Sequence, residues 1–146
     1  MILLDTNHLT VLKYSENEHH KSLVARMNSS ADQDFAVPIV VVEEQLRGWL
    51  AVIHRASDSQ RQIAAYDRLA DLIAFFAEWK IVRFDDAASQ HFDRLRLEGI
   101  RLGSMDLRIA SIALANEATL ITANFADFLR VSGLKQENWL ELQRPT

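Results

Sequence analysis

The chain of 146 residues contains no cysteine, which excludes a disulfide scaffold, a thiol nucleophile, a zinc knuckle and an iron–sulfur centre. That absence fits a reducing compartment, and a cytoplasmic location is expected. Glycine and proline are scarce, four and two, and no linker, low-complexity tract or repeat interrupts the chain. One compact domain over residues 1–146 is expected, and 49% hydrophobic residues supply enough apolar mass for its core. Long apolar runs are also missing. The longest, residues 35–42, is broken by Pro38 and far too short to span a bilayer. The opening Met1-Ile2-Leu3-Leu4 meets Asp5 too early to read as a secretory signal, so no membrane association is expected. Basic excess is absent too: 16 Lys and Arg against 20 Asp and Glu leave a formal charge of −4. Net charge alone therefore argues against nucleic-acid binding, because phosphate neutralisation normally appears as a basic surplus.

What is present is an alternation of short apolar runs with helical patterns. Ile2-Leu3-Leu4, Phe35-Ala36-Val37-Pro38, Ile81-Val82-Arg83-Phe84 and Thr119-Leu120-Ile121-Thr122 read as short buried strands, and Trp139-Leu140-Glu141-Leu142 as a further edge strand. Residues 9–27 read as two helices meeting at a turn around Tyr14-Ser15-Glu16-Asn17. A helix over 39–55 follows the second strand, although the β-branched Ile39-Val40-Val41-Val42 alone would favour extension. Ser57 or Asp58 caps a long helix to about Trp79, and Asp85 or Asp86 caps one that stops at Gly99. A helix from Ser104 to about Glu117 and a short one over 125–130 complete the pattern. This is an α/β sandwich of three layers, with a mostly parallel central sheet of four to five short strands flanked by helices.

In open parallel sheets, ligands collect beyond the carboxyl ends of the strands. Asp5 directly follows the first strand, and Asn124 and Asp127 follow the fourth. Asp106 opens the helix that feeds the fourth strand, and Glu43 and Glu44 lie early in the helix after the second. Carboxylates gathered at one edge repel and are drawn toward protonation unless a cation compensates. The fitting cation is a hard divalent ion such as Mg²⁺ or Mn²⁺. Each residue alone has a plainer structural role. Asp5 and Asp106 suit helix N-termini, Asn124-x-x-Asp127 has the shape of a capping box, and the two glutamates suit a solvated face. As a set, they fall where the strand-end rule puts a site.

Four segments in this order carry a resemblance: Leu4-Asp5-Thr6-Asn7, Glu44-Gln45-Leu46-Arg47-Gly48, Gly103-Ser104-Met105-Asp106-Leu107-Arg108-Ile109-Ala110 and Thr122-Ala123-Asn124-Phe125-Ala126-Asp127-Phe128. The chain resembles the PIN-domain ribonucleases, and more closely the VapC-type toxins of bacterial type II toxin–antitoxin pairs. The likeness spans nearly the whole chain, down to Gly133-Leu134 and Glu137-Asn138-Trp139. It implies a metal-dependent endoribonuclease of the PIN-like fold. Asp5, Glu44 and Asp106 would occupy the family's three principal acidic positions, with Asp127 or Asn124 in the fourth motif. Glu44 is preferred to Glu43 because the motif sets its acid four residues before the glycine, here Gly48. Gln45 departs from the apolar residue members commonly carry there.

The resemblance further implies that Asp5 and Asp106 hold Mg²⁺ or Mn²⁺, with Glu44 and Asp127 completing the site directly or through water. The ion would generate the nucleophile and offset phosphodiester charge, and a second ion arriving with RNA would stabilise the leaving oxygen. Thr6, Asn7 and Asn124 are supporting residues, and Arg47, Arg101 and Arg108 are candidate contacts to RNA phosphates. Surface ion pairing is the plainer role for those arginines. The implied partners are RNA (tRNA, rRNA or mRNA), an antitoxin of VapB type and a second copy in a homodimer.

The remaining residues point elsewhere. His8, His19, His20, His54 and His91 have no zinc spacing and read as solvated or incidental, and the tryptophans as core or dimer contacts. Arg83, Arg94, Arg96 and Arg101 are concentrated in one stretch that suits RNA, an acidic partner or plain solvent. A haloacid-dehalogenase phosphatase would need an acid where Asn7 stands, and a phospho-receiver domain a lysine soon after the fourth strand. A catalytically inactive PIN-like module binding RNA or protein is the alternative function. EDTA-sensitive RNA cleavage separates these from the nuclease, and acyl-phosphate formation on Asp5 would mark either of the first two.

Overall fold

A computed structural model describes residues 1–142. Strands β1 (Ile2–Leu4), β2 (Phe35–Pro38), β3 (Ile81–Val82), β4 (Thr119–Ile121) and β5 (Lys135–Glu137) form one sheet in the order β3-β2-β1-β4-β5. Every pairing is parallel. The helices α1 (Thr6–Tyr14), α2 (Glu18–Ser29), α3 (Ile39–Arg55), α4 (Ser59–Ala77), α5 (Asp86–Leu97), α6 (Ser104–Ala115) and α7 (Phe125–Phe128) flank it, which is the layered α/β class expected from the pattern. Parallel strands need helical crossovers and coverage on both faces, so their side chains must be apolar on both sides. β1 meets that demand: Ile2, Leu3 and Leu4 are all buried at the centre of the sheet.

Local chemistry explains most boundaries. Asn17, Asp58 and Asp85 each accept a hydrogen bond from a backbone N–H in the first turn of the following helix. α5 ends in a left-handed glycine, Gly99 at φ 71°. The Gly99 N–H donates to Arg96 O at 3.0 Å and the Ile100 N–H to Leu95 O at 3.2 Å, closing a Schellman cap. The β-branched start of α3 is helical because Val40 and Val41 are buried in the core, so tertiary packing overrides propensity.

Two expectations need correction. The edge strand is Lys135–Glu137, not residues 139–142. The Leu140 N–H donates to Asn138 Oδ1 at 3.0 Å, a local turn that ends the ladder after Glu137. The Trp139 side chain is buried, with its ring edge-on to Phe35 and beneath the Arg26 guanidinium. β5 itself has an exposed, polar pattern with no hydrophobic alternation to reveal it.

The second correction is His8, which is fully buried rather than solvated. Its Nε2 accepts the Trp139 N–H at 3.1 Å, joining α1 to the C-terminal segment. Burial, reinforced by the Arg26 charge, lowers its pKa from 6.5 to about 4. His19 and His20 bond the Leu140 and Val11 carbonyls, so they too have structural roles.

The unfolded imidazole takes up a proton near pH 6.5, but the folded one resists until about pH 4. Stability should therefore fall as pH drops through that window. Urea midpoints across it should decline for the wild type and decline less steeply for His8→Leu. That variant should also be less stable at pH 7 by about 1–3 kcal/mol, because the buried Trp139 N–H loses its acceptor.

Candidate active site

The chain leaves β1 for β2 on one side and later returns to place β4 on the other, so strand order reverses between β1 and β4. Ligand crevices form at such reversals, beyond the carboxyl ends of the strands. The register pairs Leu4 with Ile121, which sets Asp5 beside Thr122 as both strands end. The Asp5 N–H donates to Ile121 O at 3.0 Å and fixes that junction.

Asp5 is only 7% exposed, and both its carboxylate oxygens are engaged. Oδ1 accepts the Thr6 N–H at 2.7 Å, capping α1, and Oδ2 accepts the Thr122 hydroxyl at 2.7 Å. The plain capping role and the site role thus coexist in one side chain. Thr122 is fully buried, and its oxygen also accepts the Asn124 N–H at 3.0 Å. One hydroxyl therefore orients Asp5 and begins the loop that carries Asn124 and Asp127. Sequence reasoning left Thr122 in its strand without a role. The available signal was a polar residue at the end of each of two short apolar runs, and only the register makes them neighbours.

Asp106 stands in the first turn of α6 and is half-buried. Asn124 Nδ2 donates to its Oδ2 at 3.3 Å. The capping-box reading of Asn124 does not hold, since that side chain makes no cap bond and reaches across to α6 instead. Glu44 is exposed on α3, and its Oε2 accepts the Thr6 hydroxyl at 3.1 Å. Its neighbour Glu43 faces away and pairs with Arg47 at 2.7 Å. Asp127 lies in the first turn of α7, half-buried.

The four acids act on one another. Partial burial first, then the charges of Asp5, Glu44 and Asp127, push the Asp106 pKa from 3.8 up to about 6. A helix N-terminus would by itself favour the charged form, so repulsion and desolvation outweigh the α6 dipole. Among the described residues, no ion pair engages any of the four. Nor do three acidic or imidazole side chains there form a ready-made coordination sphere.

The supporting residues divide. Thr6 bridges Asp5 and Glu44, whereas Asn7 is exposed on the next position of α1. Arg47 is held by Glu43, and Arg108 folds back on Ser104 and lies 4.9 Å above the Phe92 ring. Arg101 is exposed, and its carbonyl accepts Arg130 Nη1 at 2.6 Å.

With divalent ions chelated, ionising Asp106 should cost stability. Between pH 3.8 and about 6 the folded carboxyl keeps a proton that the unfolded one has released, so stability falls as pH rises through that window. Asp106→Asn should therefore melt higher than wild type at pH 7.5 in EDTA, with the gap closing below pH 4. Thermal melts at the two pH values check this.

A family model of the PIN domain matches residues 2–134. Ribonuclease VapC2 of Rickettsia felis is 28% identical over 142 residues, covering 94% of this chain and 96% of the relative. Among solved structures, the chain is similar to VapBC2 of Rickettsia felis bound to a DNA fragment from its promoter. That match has TM-score 0.68 and 26% identity, over 95% of this chain and 99% of the other. Its fold is also that of DNA-bound VapBC from Salmonella typhimurium, TM-score 0.72 at 21% identity, covering 94% and 97%. With the family's match running through all five residues Asp5, Glu44, Asp106, Asn124 and Asp127, this chain belongs to the PIN domain family.

Proposed function

We propose that the protein is a metal-dependent endoribonuclease, the toxin of a VapBC-type pair acting in the cytoplasm. The observation that carries this reading is the charge cluster at the β1–β4 junction. Partial burial and the charges of Asp5, Glu44 and Asp127 raise the Asp106 pKa, and no ion pair among the described residues offsets the four acids. Kinship with Ribonuclease VapC2 supplies the substrate class.

The donor set fits Mg²⁺ or Mn²⁺. It is all oxygen, and Mg²⁺ commonly takes only one or two carboxylates and completes its shell with water and substrate phosphate. Asp5 and Asp106 are the direct ligands in this reading. When bound, the ion supplies charge neutralisation at the phosphodiester and a lowered pKa for water. The protein's own groups provide geometry. Thr122 holds Asp5 from behind and Asn124 holds Asp106, so the two carboxylates are oriented in advance. Glu44, braced by the Thr6 hydroxyl, stands at the solvent side, where it can accept a proton from an attacking water. Asp127 completes the acidic wall, and Asn7 and Arg101, both exposed, are free to meet RNA phosphates in this reading.

The antitoxin partner is carried over from the VapBC relatives. An open groove of about 360 Å³ on α3, lined by Ile39, Val42, Leu46 and Leu50 with Glu43 and Arg47, supplies apolar surface for a protein chain. Ile63, Tyr66 and Ile73 on α4 are exposed as well, which leaves area for a second copy.

Purified protein should cleave mixed RNA in Mg²⁺ or Mn²⁺ and stop in EDTA. Asp5→Asn and Asp106→Asn should stay folded by circular dichroism and lose cleavage. Divalent ion should raise the melting temperature of the wild type and not of these variants. Undiminished cleavage by either variant, with contaminating nuclease excluded, overturns the assignment.

A further inference from the structure

Apolar side chains exposed singly on a surface need no explanation. Two of them one turn apart beside a cluster of acids do. Phe125 is 40% exposed and Leu129 64% exposed, and the Leu129 N–H donates to the Phe125 carbonyl at 3.2 Å, which sets both on one face of the turn. Phe125 directly follows Asn124, the residue bonded to Asp106, and stands two before Asp127.

The segment is anchored. The Phe128 side chain is completely buried, and Gln136 Nε2 on β5 donates to the Phe125 carbonyl at 3.1 Å. Beyond Leu129, the Arg130 guanidinium donates to the Arg101 carbonyl at 2.6 Å, tying this end to the loop before α6. Neither Arg101 nor Arg130 makes an ion pair among the described residues, and both are exposed. An exposed aromatic ring with an aliphatic neighbour, flanked by two cations without a carboxylate partner and joined to the acidic cluster, has the chemistry of a single-stranded RNA contact. Unstacked bases pack on such rings while arginines take the backbone.

We propose that Phe125, with Leu129 beside it, is a specificity-determining platform on which the nucleobase flanking the scissile phosphate stacks. This rests on the ribonuclease reading above and goes further, by assigning the residues that place the cut. An antitoxin side chain seated on the same face is the competing occupant. The two arginines favour RNA, because a polyanion engages both at once.

The test uses the full chain. Phe125→Ala should raise KM for RNA on the order of tenfold, the loss of one base–aromatic stack, with kcat little changed. It should also broaden the distribution of 5′ ends found by sequencing the products. Phe125→Trp should restore both, whereas Phe125→Leu should not, which separates stacking from apolar bulk. Phe125→Trp in an Asp106→Asn background gives a readout independent of cleavage. Its fluorescence, referred to Asp106→Asn alone, should be quenched by a single-stranded oligoribonucleotide. If this quenching occurs and the wild type cuts no RNA, Phe125 is an RNA contact without a cut to place, and it is the ribonuclease reading that fails. Active wild type with an unchanged KM and end profile in Phe125→Ala overturns the platform. So does full rescue by leucine, absence of quenching, or an effect of Phe125→Ala confined to antitoxin binding.

Discussion

The parallel pairing of β1 with β4 is the constraint from which the site follows. It is a short contact, Ile2 to Leu4 against Thr119 to Ile121. Yet it decides that the residue after one strand meets the residue after the other. The resulting hydrogen bond from Thr122 to Asp5 lies in a dry environment, where a neutral hydroxyl is an effective fixed partner for a carboxylate. The same oxygen receives the Asn124 N–H, and Asn124 in turn holds Asp106. Asp5 and Asp106, 101 positions apart in the chain, are connected through two side chains from a single loop. A one-residue slip between β1 and β4 would turn Asp5 toward the wrong strand neighbour and dissolve the arrangement.

Net charge misrepresents such a molecule. A total of −4 sums a surface with a site. At the site, partial burial together with the neighbouring acids raises the Asp106 pKa to about 6, and a bound divalent cation would reverse the sign that a phosphate meets there. Elsewhere the acids are dispersed into ordinary surface ion pairs such as Glu43–Arg47 and Asp34–Lys80. Those contacts stabilise little individually. Arg47 is neutralised in this way, whereas Arg101 and Arg130 near the loop have no carboxylate partner among the described residues.

Much of this was legible in the residues. Buried runs such as Ile2-Leu3-Leu4 announce a strand enclosed on both faces, and the capping aspartates and Gly99 mark helix ends because their chemistry is local. The acids stood out because strand ends are where the fold can use them. What escaped were features decided by distant contacts. β5 is Lys-Gln-Glu, a strand by virtue of pairing with β4 and not by its own pattern. His8 is buried because Trp139 turns in to meet it from far along the chain. Asn124 looks like a cap in sequence and reaches Asp106 in space. Thr122 needed the register. Phe125, one apolar residue among many in the sequence, differs from Phe128 only in being left exposed.

The two edges of the sheet share a property that bears on how the protein associates. β3 is only two residues long, and β5 shows solvent the charged side chains of Lys135 and Glu137. Short and charged borders give an incoming extended peptide no ladder to join. Strand addition, a common route by which proteins capture flexible chains, is thus disfavoured here. The apolar faces of α3 and α4 offer a partner a helical surface instead. A partner held on those helices would leave the sheet that builds the site untouched, so its binding and release would not unpair the strands on which Asp5 and Thr122 depend.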